Sequence, residues 1–390
     1  MSVLIGIFVA SALVFLCLGY RWESTLKRPK INGFPLVSIL IPAYNSEKFI
    51  SKSIKSVLNI DYPKKEVIVA NDSVDNTPRI CKQLGVKCIQ NKTRLGKASS
   101  LNNAVKYANG RLLYFLDADT IARKDSLKKL VPWFNNKKVA VVVPKYIAHN
   151  PKTFTSKLVS IENHFIASLI KINMYFGSMV TFRGCGVLIK KSIFEKLGGW
   201  PKTQTEDNDF AGLVIRRGYK VQYEPDAIVE TVEAENLSEL KKQRIRWGKG
   251  VFYTFCNHKS GYKSIPSFLF FTLTYLFLGL SFLVYTIFQI NSFIPAFSIF
   301  LTSSSYQQLA AVFLLVIPAI ISFFATIAIS TISHITLLTI PEKSEIKDLV
   351  YIIPYTLFYI PATLYFYAKG AYFGMKDKMK NRDQLDFDNW

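Results

Sequence analysis

A chain of 390 residues, half of them hydrophobic and 14% aromatic, holds enough apolar material for one large globular domain and several membrane spans. Its formal net charge of +22 leaves nucleic acid, anionic lipid and an anionic small molecule as partner classes. No recognition-helix, zinc-finger or aromatic RNA-binding signature accompanies the basic residues, which sets nucleic acid aside in favour of a membrane surface and a phosphate-bearing ligand.

Residues Ser2 to Tyr20 carry no charge and approach the length needed to cross a bilayer. With no basic segment before them and no small-x-small cleavage site after them, an uncleaved anchor over residues 1–22 is favoured over a signal peptide. Arg21, Lys27, Arg28 and Lys30 follow directly, so the positive-inside rule puts the N-terminus outside and the large domain in the cytoplasm. The expected location is the cell membrane, with a multi-pass topology.

From Val37 onward, short apolar runs alternate with amphipathic helices. VSILIPAY, EVIVANDS, VKCIQN, RLLYFLDADT and VAVVVPKY read as strands, with helices near Glu47–Leu58, Asn76–Leu84 and Lys97–Ala108. The alternation predicts an α/β domain with a parallel, Rossmann-like nucleotide-binding sheet over residues 37–235. There is neither a P-loop nor a G-x-G-x-x-G fingerprint, which excludes the common ATPase and dehydrogenase patterns. Within this stretch, Leu158–Gly177 is apolar on more than one side and suits either a membrane or a core. Residues from Met179 to about Val232 read as a second soluble lobe.

Asn236-Leu-Ser-Glu239 is a capping-box arrangement that opens a helix over residues 236–264. Leu240, Trp247, Val251 and Phe255 lie on one side of it, and Lys241, Lys242, Arg244 and Lys249 elsewhere, the profile of a helix in the membrane interface. Residues 265–372 form an α-helical transmembrane region of about three spans, near Ser267–Phe288, Ala310–Ile332 and Leu349–Tyr367. A polar tail, 373–390, completes the chain. Its basic residues disagree with the side of the membrane reached by counting spans.

The five cysteines form no C-x-x-C pair and the four histidines no H-E-x-x-H, so neither a zinc site nor a disulfide framework is indicated. Acidic residues carry more information. Of the three D-x-D triplets, Asp117/Asp119 ends an apolar strand, where an open α/β sheet presents ligands, whereas Asp386/Asp388 lies in the polar tail. Asp207/Asp209 sits in TEDNDF. Taken alone, the N-D-S turn at Asp72 reads as a loop, Lys97 as an exposed helix face, and Arg246 with Trp247 as a membrane-interface anchor.

Together, VSILIPAYN, VANDSVDNT, RLGKASSLNNA, FLDADT, TEDNDF and QRIRW, in that order from about Val37 to Trp247, resemble the processive, membrane-embedded branch of glycosyltransferase family 2. That branch includes hyaluronan, chitin, cellulose and poly-N-acetylglucosamine synthases. The resemblance implies a glycosyltransferase-A fold and a UDP-sugar donor. It implies a divalent cation, Mg2+ or Mn2+, held at Asp119 to neutralise the leaving pyrophosphate. It puts Pro42, Tyr44, Asp72, Lys97, Asp117, Asp119, Gln243 and Arg246 around the nucleotide sugar, with Asp72 on the base. Asp207, with Glu206 beside it, takes the position of the catalytic base. Gly184, Cys185, Gly186 and Trp247 take the acceptor site, although Gly184–Gly186 equally suits a tight turn. One departure is Asn71, where the family has an acidic residue before Asp72.

The implied reaction is inverting, metal-dependent extension of a β-linked polysaccharide from a UDP-hexose or UDP-N-acetylhexosamine, processive and coupled to translocation. Its partners are the donor, a growing glycan and membrane lipids. The alternatives are single addition to a lipid acceptor and, less favoured, a non-catalytic membrane subunit that retains the fold.

Overall fold

The computed structural model describes residues 13–14, 17–179, 181–262, 298, 306 and 350–379. Eight strands form one sheet: β1 (Val37–Ala43), β2 (Lys65–Asn71), β3 (Lys87–Gln90), β4 (Leu112–Phe115), β5 (Thr120–Ala122), β6 (Val139–Ala148), β7 (Val187–Lys190) and β8 (Lys220–Thr231). Their order is β3-β2-β1-β4-β7-β6-β8-β5. The period-two alternation of β1 sends Val37, Ile39 and Ile41 into one core layer and Leu40 into the other. The first layer is closed by the helix Ile50–Leu58, which buries Ile50, Ile54 and Val57 at helical spacing. The second is closed by Lys97–Val105, Phe154–Tyr175 and Glu206–Arg216 through Leu101, Ile170 and Phe210.

The sheet is mixed, not parallel as the strand-helix alternation predicted. β1, β2, β3 and β4 run parallel, but β7 is antiparallel to both β4 and β6. The reason lies in the path after β6. The helix Phe154–Tyr175 follows β6, and β7 then enters with Val187 beside Phe115, at the end where β4 finishes. Residues 184–186 are thereby delivered to the edge at which β1, β2 and β4 end. The expected second lobe is not separate either, because β7 and β8 complete the same sheet. RLLYFLDADT divides into β4 and the short β5, with Asp117 and Asp119 in the turn between them.

The Leu158–Gly177 stretch belongs to the core. The helix starts at a Thr153–Ser156 capping box and buries Val159, Ile161, Ala167, Ile172 and Met174. The helix Leu237–Tyr262 opens as the sequence predicts, with Glu239 N–H donating to Asn236 Oδ1 at 3.0 Å and the Glu239 carboxylate accepting from Glu235 N at 3.0 Å. It packs on Glu206–Arg216 and on Ile360–Met379. Two glycines set the second contact, since a Cβ at Gly248 would lie 2.3 Å from the Tyr367 carbonyl oxygen and one at Gly370 2.1 Å from that of Ile245. The interfacial profile needs one correction: Arg244 is not on a polar side but fully buried, while Val251 and Phe255 are exposed.

Among the described residues no helix is long and apolar enough to cross a membrane. The expected spans Ser267–Phe288 and Ala310–Ile332 and most of the expected anchor lie outside the described residues. The third expected span is helical from residue 352, through a π-helical turn at Tyr355–Tyr359, to Met379.

A fold-level prediction follows from Gly110, which precedes β4. A Cβ there would sit 2.5 Å from Ser38 N and 2.9 Å from Leu112 O, both backbone atoms that cannot move independently of the sheet. Gly110→Ala is expected to cost about 1–3 kcal/mol, the usual penalty for overpacking, and to lower Tm measurably. An unchanged melting curve would show that β1 and β4 separate more easily than this packing implies.

Candidate active site

Two adjoining cavities open at the carboxyl ends of β1, β2 and β4. The first, about 420 Å³, is walled by Pro42, Tyr44, Asp72, Arg94 and Ser100. The exposed Tyr44 ring lies beneath the Arg94 guanidinium, 4.1 Å from centroid to carbon, as a cation–π pair. Asp72 is committed to its own surroundings. One carboxylate oxygen accepts from Leu95 N at 3.1 Å and Gly96 N at 2.9 Å, and the other from Asn91 Nδ2 at 2.6 Å. The residue thus anchors the loop that carries Arg94, whose backbone turns at Gly96 with φ of 80°. Asn71 is buried and donates to Gln90 Oε1 at 2.6 Å, so an amide here completes a neutral network that a carboxylate could not.

The second cavity, about 380 Å³, is walled by Gly184, Cys185, Asp207, Gln243 and Trp247. Lys97, Asp117, Asp119 and Arg246 line both cavities. The join is made by Lys97, whose ammonium lies 2.8 Å from Asp117 and 3.2 Å from Glu206. It is not an exposed helix face. Desolvation pulls its pKa down, but Asp117 and Glu206 outweigh that and hold it well above 10.5. One ammonium therefore ties the D-x-D turn to the first turn of the Glu206–Arg216 helix.

Asp207 stands at the head of that helix and accepts from Gly184 N at 2.7 Å and Asn208 N at 2.8 Å. Burial, then the neighbouring charge of Glu206, push its carboxyl up to about 6. Asp119 opens onto the cleft, where desolvation by the walls and then the charge of Asp117 push it up to about 6 as well. Gly184 matters because a Cβ there would come 3.2 Å from Asp207 Cβ, so glycine lets the backbone N–H reach the carboxylate. Gly186 lines neither cavity. Its φ of 69° and a Cβ that would lie 2.8 Å from Val229 make it the tight turn into β7, while Gly184 and Cys185 remain on the cavity wall. Burial raises the Cys185 thiol well above its ordinary value.

On the Leu237–Tyr262 helix, Gln243, Arg246 and Trp247 all reach the second cavity. The sequence does not single out Arg94, Arg183 or Arg244 as site residues, yet each borders this region. Arg183 lines the second cavity with its guanidinium carbon 5.6 Å from the Trp247 ring centroid. The one available signal is position: Arg94 opens the RLGKASSLNNA motif and Arg183 directly precedes Gly184–Gly186.

Among the described residues no group of three or more His, Cys, Asp or Glu side chains could hold a metal ion by itself. The Asp117/Asp119 turn still fits a cation shared with a ligand. A small divalent ion is commonly held by one or two carboxylates, with phosphate oxygens completing its shell, and positive charge offsets both the desolvation and the Asp117 charge that lift Asp119.

Residues 38–198 match the protein family described as Glycosyl transferase family 2. The chain is 32% identical to a probable glycosyltransferase of Bacillus subtilis over 60% of its own length and 58% of that protein. It is also 32% identical to a poly-beta-1,6-N-acetyl-D-glucosamine synthase of Staphylococcus epidermidis, over 55% of its own length and 54% of that protein. The chain thus spans somewhat over half the length of the curated relatives it matches. Among solved structures, a mannosyltransferase from Pyrobaculum calidifontis in complex with GDP-Man and Mn2+ superposes with a TM-score of 0.59, covering 91% of this chain and 97% of that one at 21% identity. At that identity the likeness speaks for the fold, which is glycosyltransferase-A-like with a mixed sheet. Residues 38–198 carry a glycosyltransferase family 2 domain.

Proposed function

We propose that this chain is a metal-dependent, inverting glycosyltransferase that uses a UDP-hexose or UDP-N-acetylhexosamine to extend a β-linked polysaccharide at the cell membrane, adding sugars processively with coupled translocation. The observation that carries the reading is the Lys97 bridge. It joins Asp117 of the donor half to Glu206 of the base half, and their neighbours Asp119 and Asp207 line the same second cavity. A nucleotide fits the first cavity, with its base toward Tyr44 and its diphosphate toward Lys97 and Arg246. The acceptor enters through the second, between Trp247 and Gly184.

In this geometry Asp207 takes the proton of the acceptor hydroxyl as that oxygen bonds to the anomeric carbon, and the bond from that carbon to the diphosphate breaks on the opposite face. The Gly184 and Asn208 N–H groups aim the carboxylate. Its raised pKa makes it a stronger base than an ordinary aspartate while leaving it ionised at neutral pH. Lys97 and Arg246 offset charge on the departing diphosphate. Asp119 and Asp117 would hold the divalent cation, which when bound supplies further neutralisation of the same charge.

The N-acetylhexosamine donor is favoured by likeness to proteins named poly-beta-1,6-N-acetyl-D-glucosamine synthase, whereas GDP-Man is the ligand named for the structural relative. Uridine and guanosine donors must therefore be compared directly. Nucleoside diphosphate release from a panel of UDP- and GDP-sugars, by the purified chain with Mn2+ or Mg2+ and an oligosaccharide acceptor, tests the reading. Release from a UDP-hexose or UDP-N-acetylhexosamine supports it; release from GDP-sugars alone would reject it.

A pH prediction accompanies the mechanism. A base must be ionised to work, and Asp207 loses its proton near 6 and not near 3.8. The acid limb of kcat/KM is therefore expected to bend at about pH 6, with activity falling about tenfold per unit below it. A limb that bends near 3.8 would remove Asp207 from the role of base.

A further inference from the structure

Resting on the glycosyltransferase reading, we propose that Trp247 is held in register by a clasp of two arginines, the buried Arg244 and the half-buried Arg183, which consecutive residues Glu162 and Asn163 tether from a neighbouring helix. Two guanidinium groups stand near the indole, Arg244 at 4.2 Å and Arg183 at 5.6 Å from the ring centroid. Neither arginine is solvated like a surface residue. Arg244 is fully buried and ion-pairs with Glu162, and Tyr359 Oη accepts from Arg244 Nη2 and donates to Glu162 Oε2, both at 3.0 Å. Arg183 donates to Asn163 Oδ1 at 2.7 Å and to Glu233 Oε1 at 3.3 Å, and Asn163 Nδ2 donates to the same Glu233 oxygen at 2.7 Å.

The geometry has a purpose that packing alone does not require. A buried ion pair contributes little to stability compared with apolar residues of the same volume, and its best use is to fix one arrangement among several. Here it fixes the residue at the cavity wall on which a sugar ring would stack. Glu162 and Asn163 both lie on the core helix Phe154–Tyr175, so the rigid sheet-backed domain dictates where Trp247 stands on the more peripheral Leu237–Tyr262 helix. Tyr359 brings the C-terminal helical segment into the same network. Arg183, Arg244, Glu162 and Asn163 act through Trp247 and are positioning residues.

The test must separate positioning from mere structural support. Removing one partner leaves a buried charge and can unfold the protein, so the main variant removes the ion pair together with the hydroxyl that bridges it: Glu162→Met/Arg244→Met/Tyr359→Phe, a change that such clusters tolerate. Asn163→Ala serves as a milder variant of the other arm. Three quantities are measured on the purified full chain: UDP affinity by calorimetry with Mn2+, sugar transfer, and acrylamide quenching of Trp247 fluorescence. The last is isolated from the other four tryptophans by subtracting the Trp247→Phe protein.

The expected result is UDP affinity within about twofold of wild type, transfer reduced by about ten- to hundredfold from a misplaced acceptor, and Trp247 more open to acrylamide. Unchanged quenching would overturn the clasp, whether or not transfer falls. Wild-type protein that transfers no sugar from any donor would reject the functional reading instead, and the quenching comparison would still decide the clasp.

Discussion

Asp207→Asn is expected to reduce sugar transfer by about 10³-fold, within the range that a positioned general base supplies, while UDP binding stays within about twofold. The split is expected because Asp207 lines only the acceptor-side cavity, whereas the nucleotide side is built from Tyr44, Asp117, Asp119 and Lys97. The substitution is nearly isosteric; its single amide oxygen can accept from Gly184 N or Asn208 N, and the NH2 group turned toward the other N–H offsets part of the stability change that follows. The same variant is expected to melt slightly higher. The folded-state pKa of Asp207 is raised, to about 6 from 3.8, so the native protein binds more protons than the unfolded chain between those values. Stability from this group is therefore fully present below about pH 3.8 and lost as pH rises through about 6, and a neutral amide avoids the loss. Reduced transfer together with a higher Tm at about pH 7.5 distinguishes a lost base from a damaged fold. Equal transfer by Asp207→Asn and wild type would remove Asp207 from the mechanism.

Asp119→Asn is expected to have the second largest effect, a loss of about 10²–10³-fold in kcat/KM, comparable to removing one preorganised electrostatic contact at a developing charge. Here, unlike at Asp207, nucleotide binding should weaken too, because the residue sits on the wall that both cavities share. Metal removal gives the partner experiment. EDTA should silence the wild type, with Mn2+ or Mg2+ restoring it, while Asp119→Asn should need more metal for half-maximal rate. Full wild-type activity in EDTA would eliminate the cation and leave Lys97 and Arg246 to neutralise the diphosphate alone.

The parts of this site that the sequence reveals are those whose chemistry is local. FLDADT announces itself because an apolar strand stops at two carboxylates, and the structure ends β4 one residue before Leu116. The capping box at Asn236 is legible for the same reason, since its donors and acceptors lie within four residues of each other. Asp72 is less readable. Its turn is visible in the sequence, but the groups that occupy its oxygens lie 19 to 24 residues later, and they make it a loop anchor beside any contact with a base.

Long-range pairing accounts for most of what local pattern hides. Arg244 reads as one more cation on a basic helix, and only Glu162, 82 residues before it, and Tyr359, 115 residues after it, explain its burial. The direction of β7 is equally hidden. VLIK has the composition of a strand whichever way it runs, and its antiparallel course shows only in its pairing with β4 and β6, strands that lie far from it in sequence. Lys97 shows both effects at once: Asp117 and Glu206 turn an apparently exposed helix start into the joint of the site.

The most direct measurement is mass spectrometry of the products that the purified chain makes from a UDP-N-acetylhexosamine or UDP-hexose, Mn2+ and a short oligosaccharide acceptor. Extension of a β-linked polysaccharide predicts a ladder of products spaced by one sugar residue, with long members present while unreacted acceptor remains. A product that carries one added sugar and no more, extractable into organic solvent with lipid, would contradict it.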